Sequence, residues 1–164
     1  MTLRAGSSAL MFGLVATGAV LLTGDALLKG AWDAAARTAG VAALVVWAAW
    51  LLLLRPSIRV RPDRAVVVNI GRITEIPWGR VVDIRRRLQL ILDLDDGRSV
   101  EAWGSPFLSR RAKPGEDSAL TALRSAWGAA APADAAVVRH LDVPALVAGA
   151  LAVIAAVICL GVAR

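Results

Sequence analysis

The fold is decided between Ser57 and Trp103, where the chain contains IPWGRV at residues 76–81, LQLILDL at 88–94 and DDG at 95–97. Leucine occupies every second position of LQLILDL, which is the period of a β-strand with one buried face. Asp-Asp-Gly then predicts a tight hairpin, because Asp and Gly tolerate the positive φ angles of such turns. This charged, strand-forming block lies between strongly apolar segments. We therefore expect a small β-rich domain attached to a membrane.

Chain-breaking residues divide the block into a series of short predicted strands. Pro62-Asp63-Arg64 is predicted as a turn, Gly71 permits a bend, and Pro77 ends a strand because proline lacks the ladder donor. A single turn is predicted over residues 78–81. The predicted strands cover residues 57–61, 65–70, 73–76, 82–87, 88–94 and 98–103, with the leucines on one face being Leu88, Leu90, Leu92 and Leu94.

An amphipathic helix is predicted after the strands. Asp117 or Ser118 supplies an N-cap, and Gly128 ends the pattern. Apolar side chains fall at positions i, i+3 and i+7, which form one helical face: Leu120, Leu123 and Trp127. Antiparallel strands followed by one such helix indicate a curved sheet that the helix closes or plugs.

Three apolar stretches are each long enough to cross a bilayer, whose hydrocarbon core requires about 20 residues of helix. They cover residues 8–28, 34–54 and 144–163. A cleaved signal peptide is the alternative for the first stretch, since Arg4 precedes it, but no clear small-x-small cleavage site follows. A second apolar run begins soon afterwards, which favours a transmembrane helical hairpin. Whether the first stretch is retained or cleaved stays open.

The distribution of basic residues predicts the orientation of these helices. Cytoplasmic flanks of membrane helices carry an excess of Arg and Lys. Arg4 precedes the first span, Arg139 precedes the third, and four arginines follow the second: Arg55, Arg59, Arg61 and Arg64. We therefore expect a multi-pass protein of the cell (plasma) membrane, with its N-terminus and its β-rich domain in the cytoplasm and Arg164 outside.

The predicted fold class is an α+β membrane protein with four parts. They are a transmembrane helical hairpin (residues 1–54), a cytoplasmic domain (55–131), a linker (132–143) and a third transmembrane helix (144–164). The chain has 164 residues, of which 57% are hydrophobic, with a mean hydropathy of +0.62 and a net charge of +6. From residue 55 to 142, fifteen Lys or Arg are interspersed with eleven Asp or Glu. Because this domain is only mildly basic, an anionic membrane surface is a better partner than nucleic acid.

Residues that enzymes commonly use for catalysis are scarce in this chain. His140 is the only histidine and Cys159 the only cysteine, so neither a catalytic triad nor a zinc site is expected. The acids Asp93, Asp95 and Asp96 raise the alternative of a metal site, but the alternation before them and the glycine after them favour a hairpin. We predict no catalysis, no metal and no cofactor.

Arginines in the predicted strands form the candidate binding surface. Arg85 and Arg87 share one strand face, and Arg86 takes the other. The candidates for contact with lipid headgroups or with acidic groups of a protein partner are Arg59, Arg61, Arg80, Arg85, Arg86 and Arg87. The alternative is a solvated, membrane-facing surface without a specific ligand. Trp78 is expected in the core, or as a plug beneath the barrel.

The block resembles the short pleckstrin-homology-like (PH-like) domain of actinobacterial membrane proteins, the family called low molecular weight protein antigen 6. The resemblance rests on Arg55-Pro56 after a span and on the segments Ala65–Asn69, Ile76–Val81 and Leu90–Gly97. It covers about a third of the chain. The resemblance implies a PH-like antiparallel barrel or sheet behind paired N-terminal spans, with no catalytic residues. The third span departs from the shortest members.

Two functions compete on these observations. The first is a membrane-anchored binding module that docks a protein or an anionic lipid headgroup at the cytoplasmic face. The second is a structural or assembly subunit of a membrane complex that acts through its transmembrane helices. Small residues at four-residue spacing in the third span motivate the second: Ala148, Ala152 and Ala156. The sequence does not predict the ligand, the pathway or the oligomeric state.

Overall fold

The computed structural model describes residues 2–3, 7–86, 89–103, 118–130 and 135–162, and within them the chain forms both helices and strands. The helices are α1 (Ser7–Leu28), α2 (Trp32–Ala49), α3 (Ser118–Gly128) and α4 (Val143–Val162). The strands are β1 (Thr2–Leu3), β2 (Ser57–Val60), β3 (Arg64–Asn69), β4 (Arg72–Pro77), β5 (Val81–Arg86), β6 (Leu90–Leu94), β7 (Ser99–Ala102) and β8 (Val138–Leu141). The predicted α+β class is confirmed.

The chain divides into two compact units. The β-rich unit comprises Met1–Gly6 and Arg55–Asp142, and the helical unit comprises Ser7–Leu54 and Val143–Arg164. The described strands of the β-rich unit pair antiparallel in two sheets, ordered β1-β2-β3-β4-β8 and β5-β6-β7. Strand β1 precedes both N-terminal helices in the chain and yet pairs with β2, which follows them.

Apolar side chains from both sheets and from α3 form the core of the β-rich unit. The alternation of β6 buries Leu90, Leu92 and Leu94, each less than 5% exposed, as predicted. Leu123 of α3 is fully buried against them, while Leu120 and Trp127 pack at the margin of the core. Burial of one leucine side chain contributes about 1.5–3 kcal/mol, so this pattern specifies the register of β6.

Trp78 lies in the core at the corner between the two sheets. It is 1% exposed and begins a 3₁₀ turn, Trp78–Arg80, that joins β4 to β5. Its indole Nε1 donates a hydrogen bond to the carbonyl of Arg61 at 2.8 Å, and its backbone N–H donates to the carbonyl of Asp63 at 3.2 Å. The core position predicted for this residue is confirmed, and the indole N–H has the partner that a buried tryptophan requires.

The tight hairpin predicted after β6 is also present. Gly97 has a φ of 77° in the turn between β6 and β7, and the Leu94 N–H donates to the carbonyl of Arg98 at 2.8 Å. A residue with a Cβ is strained at this φ, which accounts for glycine at this position. Gly71, between β3 and β4, has a φ of 69°, so glycine is favoured at that position for the same reason.

An ion pair joins Arg55 and Asp142, the two ends of the longer segment of the β-rich unit. Asp142 is fully buried, and the guanidinium of Arg55 binds both of its carboxylate oxygens, with one Nε–Oδ2 distance of 2.5 Å. The hydrogen bonds to Asp142 raise the pKa of Arg55. The Asp142 N–H also donates to the carbonyl of Gly71 at 3.0 Å. The segments that enter and leave the domain are therefore fastened to each other.

In its described residues, the helical unit contains three helices that are long and apolar enough to cross a membrane. They cover Ser8–Leu28, Trp32–Leu54 and Val143–Val162, close to the predicted spans. Helix α2 continues through a π-helical turn over Trp50–Leu54 and packs against both α1 and α4. Most large apolar side chains of α1 and α4 point away from these contacts and are exposed.

Small residues allow α4 to approach α2 closely. Ala145, Gly149 and Ala156 are buried, and Ala148 and Ala152 are half-buried, so the predicted small-residue face is in contact within the chain. A Cβ added at Gly149 would lie 2.4 Å from the ring of Trp47. The Trp47 indole Nε1 donates to the carbonyl of Ala145 at 3.2 Å.

The structure contains two strands, β1 and β8, that the sequence analysis does not predict. Strand β8 lies within residues 132–143, which were predicted as a linker, and it pairs with β4. All four of its residues are exposed, so it has no apolar alternation to identify it. Strand β1 is too short for any periodic signal. The predictions for Arg4, Arg87, Leu88, Asp117 and Arg164 concern residues outside the described part of the chain.

Candidate functional site

A side-chain bridge joins the two sheets at the end of β3. The Asn69 amide nitrogen Nδ2 donates to the Glu101 carbonyl at 2.7 Å, and its oxygen Oδ1 accepts from the Trp103 N–H at 3.0 Å. Both backbone groups lie on β7 or at its end, on the edge that faces away from β6. Asn69 thus satisfies the hydrogen bonding of two backbone groups at the edge of β7, as a neighbouring strand would. The same bridge fixes one wall of an adjacent cleft.

This cleft has a volume of about 450 Å³ and opens to solvent within the β-rich unit. That size falls in the range of small-ligand sites, which is roughly 300–1,000 Å³. Strands β4 and β8 supply one side of the cleft, and β7 supplies the other. Its lining residues are Asn69, Ile70, Arg72, Thr74, Ser99, Val100, Glu101, Trp103 and Arg139.

Two arginines lie on the same face of the first sheet in this cleft. Arg72 and Thr74 share a face with Ile76, whose side chain is in the core. Arg139 of β8 lies directly opposite Thr74, and Leu141 lies opposite Arg72. The two arginines are therefore diagonal neighbours, whose Cα atoms are separated by about 7–8 Å. Neither guanidinium forms a hydrogen bond or an ion pair with another described residue.

The opposite side of the cleft combines a carboxylate with an aromatic ring. Glu101 is exposed, and the side chain of Trp103 is 48% exposed. Ser99 lies beside them and donates its hydroxyl to Asp93 at 2.5 Å. Asp93 also binds Arg85, and these two contacts, that with Arg85 first, lower the pKa of the Asp93 carboxyl. The charge of Asp93 is therefore already compensated by Arg85, which leaves Glu101 as the uncompensated carboxylate among the described residues on this side.

The four predicted arginines whose side chains the structure describes are distributed over the end of β2, the 3₁₀ turn and β5. Arg80 lies on the 3₁₀ turn and pairs with Asp95 at 2.8 Å, with Asp96 at 4.0 Å. Arg85 lies on the outer face of the second sheet and pairs with Asp93 at 2.5 Å. Acids of the β6–β7 hairpin thus bind both arginines, so both positive charges are largely compensated. The sequence analysis favours this hairpin over a metal site for the same acids.

Arg59 and Arg61 are exposed at the first sheet, away from the cleft. Arg59 lies on β2, next in sequence to the buried Ile58 and therefore on the opposite face of the strand. Neither side chain forms an ion pair with another described residue. Arg86 is the last residue of β5. The position of its side chain, like Arg87 as a whole, lies outside the part of the chain that the structure describes.

The described residues favour binding of an anion in the cleft. Two guanidinium groups without partners among the described residues present donors that match phosphate or carboxylate oxygens. Across the described ranges, no three side chains of His, Cys, Asp or Glu lie together in a group that could hold a metal ion. His140 is exposed on β8 and pairs with Ile73.

Sequence reasoning missed both cleft arginines as site residues. Arg72 and Arg139 are far apart in the chain and lie outside the cluster of arginines at residues 85–87. Only the pairing of β4 with β8 brings them together, and β8 carries no periodic signal.

Comparisons of the whole chain with protein-family models, with curated proteins and with solved structures find no match.

Proposed function

We propose that this protein is a membrane-anchored docking module. Its three apolar helices cross the cell membrane and hold a PH-like domain at the cytoplasmic face. The domain binds a protein or an anionic lipid without catalysing a reaction, and the cleft between β4, β8 and β7 is the binding site.

The strand pairing supports the helical hairpin in this proposal. Because β1 pairs with β2, the residues before α1 and those after α2 belong to one sheet. Two helices that cross a bilayer between paired strands must therefore cross it in opposite directions. The four arginines from Arg55 to Arg64 favour the cytoplasmic side for that sheet.

One observation carries the docking function, namely the pair of uncompensated arginines in the cleft. Other described arginines of the domain either pair with its acids, as Arg64 does with Glu75 at 2.7 Å, or lie outside the cleft, as Arg59 and Arg61 do. Arg72 and Arg139 instead share one face of a cleft with an exposed tryptophan. The two like charges repel each other, so an anionic partner would stabilise this arrangement.

Affinity purification of the full-length protein from native membranes tests this function. The wild type is compared with the double variant Arg72→Ala/Arg139→Ala and with the control Arg98→Ala, which removes an arginine that is 70% exposed outside the cleft. We expect protein or lipid species that copurify with the wild type and the control but not with the double variant. An identical set of bound species in all three samples would contradict the proposal.

An assembly subunit remains the second candidate, and one feature favours it. The small-residue face of α4 is occupied by α2 of the same chain. However, α1 and α2 form an apolar groove of about 510 Å³ that is lined by small residues such as Gly18, Ala19 and Ala42. Gly18→Leu together with Ala42→Leu would fill this groove. Loss of copurifying proteins in that variant, but not in the cleft variant, would favour assembly through the helices.

A further inference from the structure

We propose that the cleft binds the headgroup of a phospholipid that carries a primary amine, with its phosphate between Arg72 and Arg139 and its ammonium group against Glu101 and Trp103. This assignment rests on the docking function proposed above and specifies the chemistry of its ligand. It follows from the presence of groups of opposite charge on the two sides of one cleft.

The first side of the cleft matches a phosphate group. Arginine side chains are long, so guanidinium groups on diagonal positions of adjacent strands can both reach one phosphate between them. Thr74 lies directly opposite Arg139 on the same face of the sheet and also lines the cleft, so it adds a hydroxyl to this side. Each guanidinium is planar and presents several N–H donors, which suits the oxygens of a phosphodiester.

The second side of the cleft matches an ammonium group. Glu101 offers a carboxylate that is exposed, and Trp103 offers an indole ring that is 48% exposed in the same cleft. Tryptophan is the aromatic residue that attracts cations most strongly to its face. A headgroup with a phosphate alone would leave Glu101 close to a second negative charge. A phosphate followed by an amine places opposite charges on both sides.

The position of the cleft in the chain favours a lipid over a peptide. Arg139 is four residues before Val143, where α4 begins, and Arg72 pairs with Leu141, only two residues before α4. At about 3.3 Å per extended residue, Arg139 lies within roughly 13 Å of the start of a helix that can enter the bilayer. The headgroup layer is about 5–8 Å thick on each side of the hydrocarbon core. Only three residues separate Arg139 from α4, and this short tether supplies a high effective concentration of headgroups.

Native mass spectrometry of the full-length protein in detergent micelles tests the assignment. The protein is titrated with phosphatidylethanolamine, phosphatidylglycerol and phosphatidylcholine that have identical acyl chains, so that only the headgroup differs. Glycerophosphoethanolamine, which has no acyl chains, is the fourth titrant. It separates recognition of the headgroup from binding of the acyl chains to the apolar helices. We expect phosphatidylethanolamine to bind about fivefold more tightly than phosphatidylglycerol, as one exposed cation–π contact and one exposed ion pair allow.

Variants separate the two halves of the site. Arg72→Gln or Arg139→Gln should weaken binding of phosphatidylethanolamine about tenfold, through loss of a charge-assisted hydrogen bond. Glu101→Gln should remove the preference over phosphatidylglycerol and leave binding of the phosphate. Arg98→Gln is the matched control, because it removes an arginine that is 70% exposed and lies outside the cleft. It should leave all affinities unchanged. Circular dichroism confirms that each variant is folded.

The outcomes distinguish this assignment from the docking function itself. Equal affinity for all three lipids, a preference for phosphatidylglycerol, or sensitivity to Arg98→Gln but not to Arg72→Gln would each overturn the amine-lipid assignment. If the lipids do not bind but a protein copurifies in a manner that depends on Arg72 and Arg139, the docking function stands and the ligand is that protein. If neither lipid nor protein binding depends on the cleft, both proposals fail.

Discussion

Removal of the buried carboxylate by Asp142→Ala should strongly destabilise the domain. Asp142 is fully buried and accepts hydrogen bonds from Nε and Nη2 of the Arg55 guanidinium. Loss of one member of a buried ion pair costs about 3–5 kcal/mol, because the attraction that offset the desolvation of the remaining charge is lost. The Arg55 side chain is 19% exposed, so water can reach the remaining guanidinium in part. We therefore expect about 3 kcal/mol, at the lower end of that range.

Pulse proteolysis of the full-length protein in urea measures this change, since detergent shields the apolar helices while the unfolded domain is cleaved. With a urea m-value of about 1–3 kcal/mol/M, a loss of about 3 kcal/mol lowers the midpoint by roughly 1–3 M. The double variant Arg55→Met/Asp142→Leu removes both charges, and we expect it to be more stable than Asp142→Ala. An unchanged midpoint for Asp142→Ala would refute the reasoning. A double variant that loses as much as the sum of Arg55→Met and Asp142→Leu measured separately would refute the coupling.

Three further results are expected. Gly149→Ala places a Cβ 2.4 Å from the Trp47 ring and should lower the stability of the helical unit by about 1–3 kcal/mol in detergent, whereas Gly149→Ala with Trp47→Leu should recover part of it. Asp93 has a lowered pKa, so its contribution to stability is present above the unfolded value of about 3.9 and is lost as the pH falls through the folded value. Asp93→Asn or Arg85→Gln should therefore flatten the decline of the urea midpoint below about pH 4, and an unaltered decline would count against the pair. Asn69→Ala removes the bridge between the sheets and should accelerate amide hydrogen exchange at the end of β7, while equal exchange rates would mean that the bridge is dispensable.

Much of the architecture is encoded by local patterns. Leu90, Leu92 and Leu94 alternate because one face of β6 is buried, and Gly97 marks the hairpin because its φ is positive. The apolar helices are recognisable by length and hydropathy alone. Such features depend on neighbouring residues, so they can be inferred without knowledge of the tertiary contacts.

The candidate site depends on pairings between distant segments, which the sequence does not reveal. Arg80 and Arg85 looked like binding residues because arginines cluster in that stretch, but hairpin register places Asp95 and Asp93 beside them. Arg72 and Arg139 become neighbours only through β8, whose residues are all exposed. A strand without a buried face carries no period-two signal, so its pairing and the resulting cleft were not predictable.

Accessibility of single cysteines in intact cells tests the membrane-anchored arrangement most directly. Cys159→Ala removes the native thiol, and a new cysteine is introduced either by Lys29→Cys, between α1 and α2, or by Arg98→Cys, on the β6–β7 hairpin. Both side chains are 70% exposed. We predict that a membrane-impermeant maleimide labels the Lys29→Cys protein in intact cells and labels the Arg98→Cys protein only after the membrane is permeabilised. Labelling of the hairpin cysteine in intact cells would contradict a cytoplasmic docking domain.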